Sequence, residues 1–169
     1  MNIRQEKSSD YKEVFNLIKA AFASAEHADG NEQNLVSKLR NSDAFIPELS
    51  LVAVDNDIIV GHIMFTKIKI NGKTELALAP LSVLPEYQRK GIGTALITEG
   101  HNIAKQLGYD CSVVLGSEKY YPKFGYINSG VFGIKAPFDV PAENYMVCAL
   151  SENFKRLDGI VEYAPEFFN

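Results

Sequence analysis

The stretch that most limits what this chain can fold into is Leu81-Ser82-Val83-Leu84-Pro85-Glu86-Tyr87-Gln88-Arg89-Lys90-Gly91-Ile92-Gly93-Thr94, which leaves a strand, turns and enters a helix. Gly91 and Gly93 let the backbone turn tightly and approach a ligand with no Cβ in the way. Free N–H groups converge at the helix N-terminus, where the helix dipole also favours negative charge, so the turn suits a pyrophosphate. Arg89 and Lys90 add positive charge there. Two other phosphate loops are excluded by the same residues. A P-loop needs its lysine after the glycines, and a dinucleotide fingerprint needs glycine where Leu96 stands.

The segments around this turn show how it is built into a domain. Asn2 to Lys7 reads as a first strand, and Asp10 and Glu13 have the spacing of a capping box for a helix from Tyr11. Val14, Phe15, Ile18, Ala21 and Phe22 recur at helical spacing, and Leu35, Val36 and Leu39 mark a second short helix ending near Arg40. Leu49 to Val54, Ile58 to Ile70 and Glu75 to Leu84, joined by Asp55-Asn56-Asp57 and Asn71-Gly72, predict an antiparallel meander. Gly91 to Leu107 is helical, Gly108 follows as a left-handed cap, and Cys111 to Leu115 is a buried strand. A strand, a helix and a buried strand in succession imply a right-handed crossover between parallel strands, so the sheet is mixed. A short helix from Ser117 to Phe124 stops at Gly125, and Val131 to Ile134 and Tyr145 to Leu150 read as closing strands around the loop Ala136 to Pro141.

At 169 residues the chain is the length of one domain, residues 1–169, with no repeat or linker. A net charge of -4 offers no general attraction to nucleic acid or an anionic membrane. Met1 to Ser9 is polar, and no apolar run nears the ~20 residues of a membrane span, so a cytoplasmic location is expected. Cys111 and Cys148 lie in apolar, β-branched surroundings and read as buried thiols, with no neighbouring histidine to activate them. No Cys and His cluster has metal-ligand spacing, so no metal is implied.

Gln88-x-x-Gly91-x-Gly93 after a Leu-x-Val strand end resembles the acyl-CoA motif of the GNAT acyltransferase superfamily. Tyr120-Tyr121-Pro122-Lys123-Phe124-Gly125-Tyr126 resembles the short helix after that superfamily's fifth strand. Val60-Gly61-His62-Ile63 and Pro137-Phe138-Asp139-Val140-Pro141 sharpen the likeness to the bacterial predicted acetyltransferases called YhbS-like, over nearly the whole chain. The resemblance implies an α/β (α+β) fold whose mixed central sheet splays between strands 4 and 5 and is flanked by helices. It also implies acetyl-CoA, or another acyl-CoA, as co-substrate. Direct transfer to a primary amine of a small molecule follows from it, with protein amines as an alternative acceptor and a non-catalytic acyl-CoA sensor as an alternative role. A nucleotide-binding protein using the same turn for another phosphate ligand is a third reading, and a homodimer is left open.

The resemblance assigns roles residue by residue. Leu81, Ser82, Val83, Gln88, Arg89, Lys90, Gly91, Ile92, Gly93 and Thr94 would hold the coenzyme. The Leu81 N–H would also face the thioester oxygen and stabilise its developing charge. A departing CoA thiolate benefits from a neutral proton donor, and Tyr121 occupies the Tyr-x-x-x-Gly position of the superfamily's general acid, with Tyr120 its less favoured neighbour. An alkylamine of pKa about 10.4 must lose a proton before it attacks. Positions where relatives carry a base on the fourth strand are Ala77 and Ala79 here. Glu75 lies farther along that strand, while Glu26, His27, Asp29 and Glu32 border the expected acceptor side, with Glu32 favoured. A water chain is the alternative. His62 alternates with Val60 and Met64 and reads as a strand histidine satisfied within the sheet.

Overall fold

The computed structural model describes residues 1–23 and 29–168. In chain order the elements are β1 (Asn2–Gln5), α1 (Tyr11–Phe22), α2 (Glu32–Arg40), β2 (Phe45–Asp55), β3 (Ile58–Ile70), β4 (Lys73–Val83), α3 (Ile92–Gln106), β5 (Cys111–Leu115), β6 (Tyr126–Asn128), β7 (Ile134–Lys135), β8 (Tyr145–Ala149) and β9 (Gly159–Glu162). The sheet runs β1-β2-β3-β4-β5-β8-β6, with β9 on the far end of β3 and β7 beside β9. Among the described residues only β4–β5 and β7–β9 are parallel. Among the described residues no helix is long and apolar enough to cross a membrane.

The meander follows from its turns. Asn56 and Asp57 have φ of 48° and 66°, and Asn71 and Gly72 have 51° and 77°. Left-handed backbone at both central residues matches the twist of the strands on either side, which is why such turns make tight hairpins. The sheet buries both faces. On one, α3 packs Leu96 and Ile97 against Leu51, Ile63, Phe65 and Leu76. On the other, α1 and α2 pack Val14, Ile18, Val36 and Leu39 on Val52, Ile59 and Met64. The rest of that second face, around Ala77, Val113 and Val147, is covered by the chain after β6 through Phe132, Ile134 and Val161.

Two irregularities in β4 position the site. Gly61 pairs Val83 and Ile63 pairs Leu81, but Phe65 pairs Leu78, so β4 carries one extra residue at Ala79-Pro80. Such a bulge bends a strand and switches which alternate residues face each side. Leu78, Leu81 and Val83 consequently all pack toward α3. Ser82 stands opposite His62, and Ala77 opposite Thr66, on the other face. The second irregularity is the parallel pairing with β5, which is confined to Leu76–Ser112 and Ala77–Val113. Beyond it the strands part, and the Gly116 N–H after β5 donates to the Asn144 carbonyl at 2.9 Å instead.

Several sequence expectations are corrected. Asp10 and Glu13 form no capping box: Asp10 takes a forked pair from Arg4 (2.7 and 3.0 Å), and the Glu13 carboxylate accepts the Ile59 N–H at 2.7 Å. Glu13 therefore ties α1 to the start of β3. Residues 131 and 132 belong to a 3-10 turn, Ser129–Phe132, so only Ile134–Lys135 of that stretch is strand. The helix expected from Ser117 is a 3-10 turn, Tyr121–Phe124, closed by Gly125 at φ 97°. β2 begins at Phe45, four residues earlier than its apolar pattern shows, because Pro47 sits where the ladder slips between Phe45 and Ser50.

Candidate active site

A cleft of ≈ 550 Å³ opens where β4 leaves β5, between the end of β4, the start of α3 and the turn carrying Tyr120 and Lys123. Its far wall is the N-terminus of α3. Gly91 caps it at φ 85°, no side chain caps its first turn, and the first helical bond runs from the Ala95 N–H to the Gly91 carbonyl at 3.0 Å. The N–H groups of Ile92, Gly93 and Thr94 thus precede the helical ladder, where an anion is favoured. Arg89 also holds a left-handed φ, 63°, which turns the backbone just ahead of the cap. At Gly93 a Cβ would stand 2.4 Å from the Tyr120 hydroxyl. Only a residue without that carbon keeps both the helix start and Tyr120 at the cleft.

Of the residues named from sequence, Leu81, Val83, Gln88, Arg89, Gly91, Ile92, Gly93 and Thr94 meet in this cleft. The Gln88 amide donates to the Val83 carbonyl at 3.2 Å and so fastens the turn to the end of β4. Lys90 does not line the cleft: its ammonium lies 5.3 Å from the centre of the Tyr87 ring. Ser82 is also outside it, 2% exposed on the opposite face of β4. The sequence reading missed Tyr87, Tyr120 and Lys123 as lining residues. Lys123 places a cation over the Tyr120 ring at 5.7 Å, and its place beside Tyr121 in the aromatic run was the available signal.

Of the two adjacent tyrosines, Tyr120 lines the cleft, whereas Tyr121, assigned as the acid from sequence, does not. Tyr120 stands at the α3 end, whereas the Tyr121 ring lies against Gly116, where a Cβ would meet it at 2.3 Å. Tyr121 is held edge-on by Tyr120 (5.1 Å) and Tyr126 (5.7 Å), and its hydroxyl makes no hydrogen bond to a described residue. Burial, and secondarily Tyr120, pushes the Tyr121 phenol well above its ordinary range, so it keeps its proton at neutral pH. Behind it, Tyr126 is fully buried, its hydroxyl 2.8 Å from Ser112 Oγ and 3.0 Å from His101 Nε2. That chain ties β5, β6 and α3 together under the Tyr121 ring.

The carboxylates separate clearly. Glu75 is wholly buried and occupied: the N–H groups of Asp110 and Cys111 donate to it at 2.9 and 3.2 Å, and Lys73 lies 3.1 Å away. It fastens β4 to the start of β5. Glu32 accepts the Asp29 N–H at 3.1 Å and lines a second cleft of ≈ 650 Å³, with Asp29, Asn31, Glu166 and Phe167 among its walls. No residue is shared between the two clefts, so the structure does not bring Glu32 to Leu81 and Tyr121. Glu26 and His27 lie outside the described residues. Cys111 and Cys148 are buried free thiols, and burial pushes Cys148 up to about 11 and Cys111 further. Neither has thiolate character.

The same architecture occurs in known proteins. Residues 11–126 match the Acetyltransferase (GNAT) family. The uncharacterized N-acetyltransferase YjhQ of Escherichia coli K12 is 33% identical over 164 residues, covering 92% of this chain and 88% of YjhQ. The crystal structure of YhbS from Escherichia coli in complex with CoA superposes with a TM-score of 0.90 at 26% identity, covering 99% of this chain and 92% of that one. A GNAT family acetyltransferase from Brucella melitensis in complex with acetyl-CoA gives 0.82 at 30% identity, covering 98% and 97%. The family match over residues 11–126 and the 33% identity to YjhQ show that the chain belongs to the GNAT acetyltransferase family.

Proposed function

We propose that this protein transfers an acetyl group from acetyl-CoA to a primary amine of a small molecule, directly and within a ternary complex. The observation that carries this reading is the fork between β4 and β5, which leads from the uncapped start of α3 to Leu81, with Tyr121 packed behind the lining residue Tyr120. Two of its structural relatives were solved with CoA or acetyl-CoA. The donor set fits a diphosphate: backbone N–H groups of Ile92 to Thr94, with Arg89 and Lys123 beside them. The thioester supplies an activated acyl carbon and a thiolate leaving group.

The remaining chemistry belongs to this chain. The Leu81 N–H donates to the carbonyl oxygen as charge builds on it. The amine's lone pair forms the new C–N bond as the C–S bond breaks, and Tyr121 gives its proton to the departing sulfur. The buried, protonated thiols argue for direct transfer over a cysteine intermediate. Asp29, Glu32 and Glu166 line the second cleft together with Lys38, and because Glu32 stands apart from Leu81 a water chain is the proposed carrier of the amine's proton. With an amine panel and free-thiol detection, Tyr121→Phe should lower kcat at least about tenfold with acetyl-CoA affinity little changed. Tyr120→Phe should instead weaken coenzyme binding. Unchanged turnover in Tyr121→Phe would remove Tyr121 as the acid, and coenzyme binding without transfer to any amine would favour a sensor.

A further inference from the structure

The sheet face under α1 and α2 carries a buried chain of polar groups that the transfer site does not use. Arg40 donates to Glu6 through Nε and Nη2 at 3.1 and 2.6 Å. Ser50 Oγ lies 2.8 Å from Glu6 Oε1 and 3.1 Å from His62 Nε2. The Glu6 carboxylate, held by Arg40, can only accept, so Ser50 gives it its single proton. Ser50 must then accept from His62 Nε2–H. That fixes the tautomer and leaves His62 Nδ1 as a bare lone pair. Burial first, with Arg40 opposing the pull of Glu6, lowers the His62 pKa to about 4, so the ring is neutral at physiological pH.

His62 Nδ1 is buried and has no hydrogen-bond partner. Its register partner across the β3–β4 ladder is Ser82, and directly paired residues share a face. Ser82 is 2% exposed, and its hydroxyl is also buried and unpartnered. A lone-pair acceptor and a hydroxyl donor therefore stand on neighbouring strands, both desolvated, with the bond between them unmade. Ser82 sits between Leu81 and Val83, the two β4 residues that line the coenzyme cleft.

We propose that His62 and Ser82 are positioning residues: when coenzyme A fills the cleft, the Ser82 hydroxyl donates to His62 Nδ1 and locks the Leu81-Ser82-Val83 backbone in its binding shape. The proposal rests on the coenzyme reading of that cleft. Each hydrogen bond of this kind is worth a modest factor, so Ser82→Ala and His62→Gln should each weaken CoA binding about five- to tenfold. Gln keeps a donor for Ser50 and loses Nδ1. Because both variants break one bond, the double variant should bind no more weakly than either single one.

The test on unmodified protein is a CoA titration followed by side-chain ¹⁵N NMR of His62. The Nδ1 resonance should move from a free lone pair toward a hydrogen-bonded one as CoA saturates, and Ser82→Ala should abolish that movement. A purely structural pair would leave the resonance unmoved by ligand. CoA binding with an unchanged Nδ1 signal, or additive losses in the double variant, overturns the proposal. Failure of the wild-type protein to bind CoA at all overturns the functional reading, and this proposal with it.

Discussion

The two halves of β4 are built oppositely. From Lys73 to Leu78 the strand is paired with β3, Leu76 and Ala77 are paired with β5 as well, and Glu75 reaches across to bond the start of β5. From Leu81 to Val83 it is paired only with β3, and its other edge faces the cleft. The bulge at Ala79-Pro80 separates the halves. A parallel pair held at one end by a buried carboxylate and released at the other makes a fork.

Breaking the closed half should cost the most. Glu75→Ala leaves the Asp110 and Cys111 N–H groups without their acceptor, and an expected loss of about 3 kcal/mol in urea unfolding follows. A loss under about 1 kcal/mol would show that the fork is held by strand pairing alone. Acid acts on the walls of the open half. Burial lowers both His62, behind β4, and His101, behind β5, to about 4. The unfolded chain takes up these protons below its ordinary histidine pKa of about 6.5, while the folded chain resists them until about 4. Stability is therefore full above that upper value and falls as pH drops toward the lower, by up to about 3 kcal/mol per histidine. His101→Gln should flatten roughly half of that slope in urea midpoints measured against pH.

A pair of glycine substitutions sharpens the comparison with smaller effects. In Gly93→Ala the new carbon meets the Tyr120 hydroxyl at 2.4 Å, the free end of a side chain in the cleft. CoA affinity should fall about tenfold, with unfolding free energy changed by less than about 0.5 kcal/mol. In Gly100→Ala it meets the buried Phe65 ring at 2.3 and 2.9 Å. That variant should lose about 2 kcal/mol of stability and keep its CoA affinity. The reverse pattern would mean that α3 is not divided into a binding end and a packing face.

The hairpins, α3 and β5 were legible in the sequence because local chemistry decides them: Asn-Asp and Asn-Gly turns, a 3.6-residue apolar period and a left-handed glycine. The glycine-led turn was legible for the same reason. β6 and β9, of three and four residues, were not, since so short a strand exists only through the neighbour it pairs with. Ser82 was grouped with the coenzyme residues because it is contiguous with them, yet strand alternation turns it to the other face. That Tyr120 meets the start of α3 depends on Gly93, far away in sequence, while Tyr121 packs on the nearby Gly116. Glu32 carried a local resemblance only, and nothing near it in the chain reveals that a different cleft receives it.

The central claim is that the N–H groups opening α3 hold the diphosphate of coenzyme A. An amide ¹H–¹⁵N titration of the intact protein with CoA tests it most directly. Saturable binding in roughly the micromolar range is predicted, about -8 kcal/mol, with the largest shifts at Gly91, Gly93, Thr94 and Leu81. No saturable change at millimolar CoA, or shifts gathered around Glu32 and Glu166 instead, would contradict it.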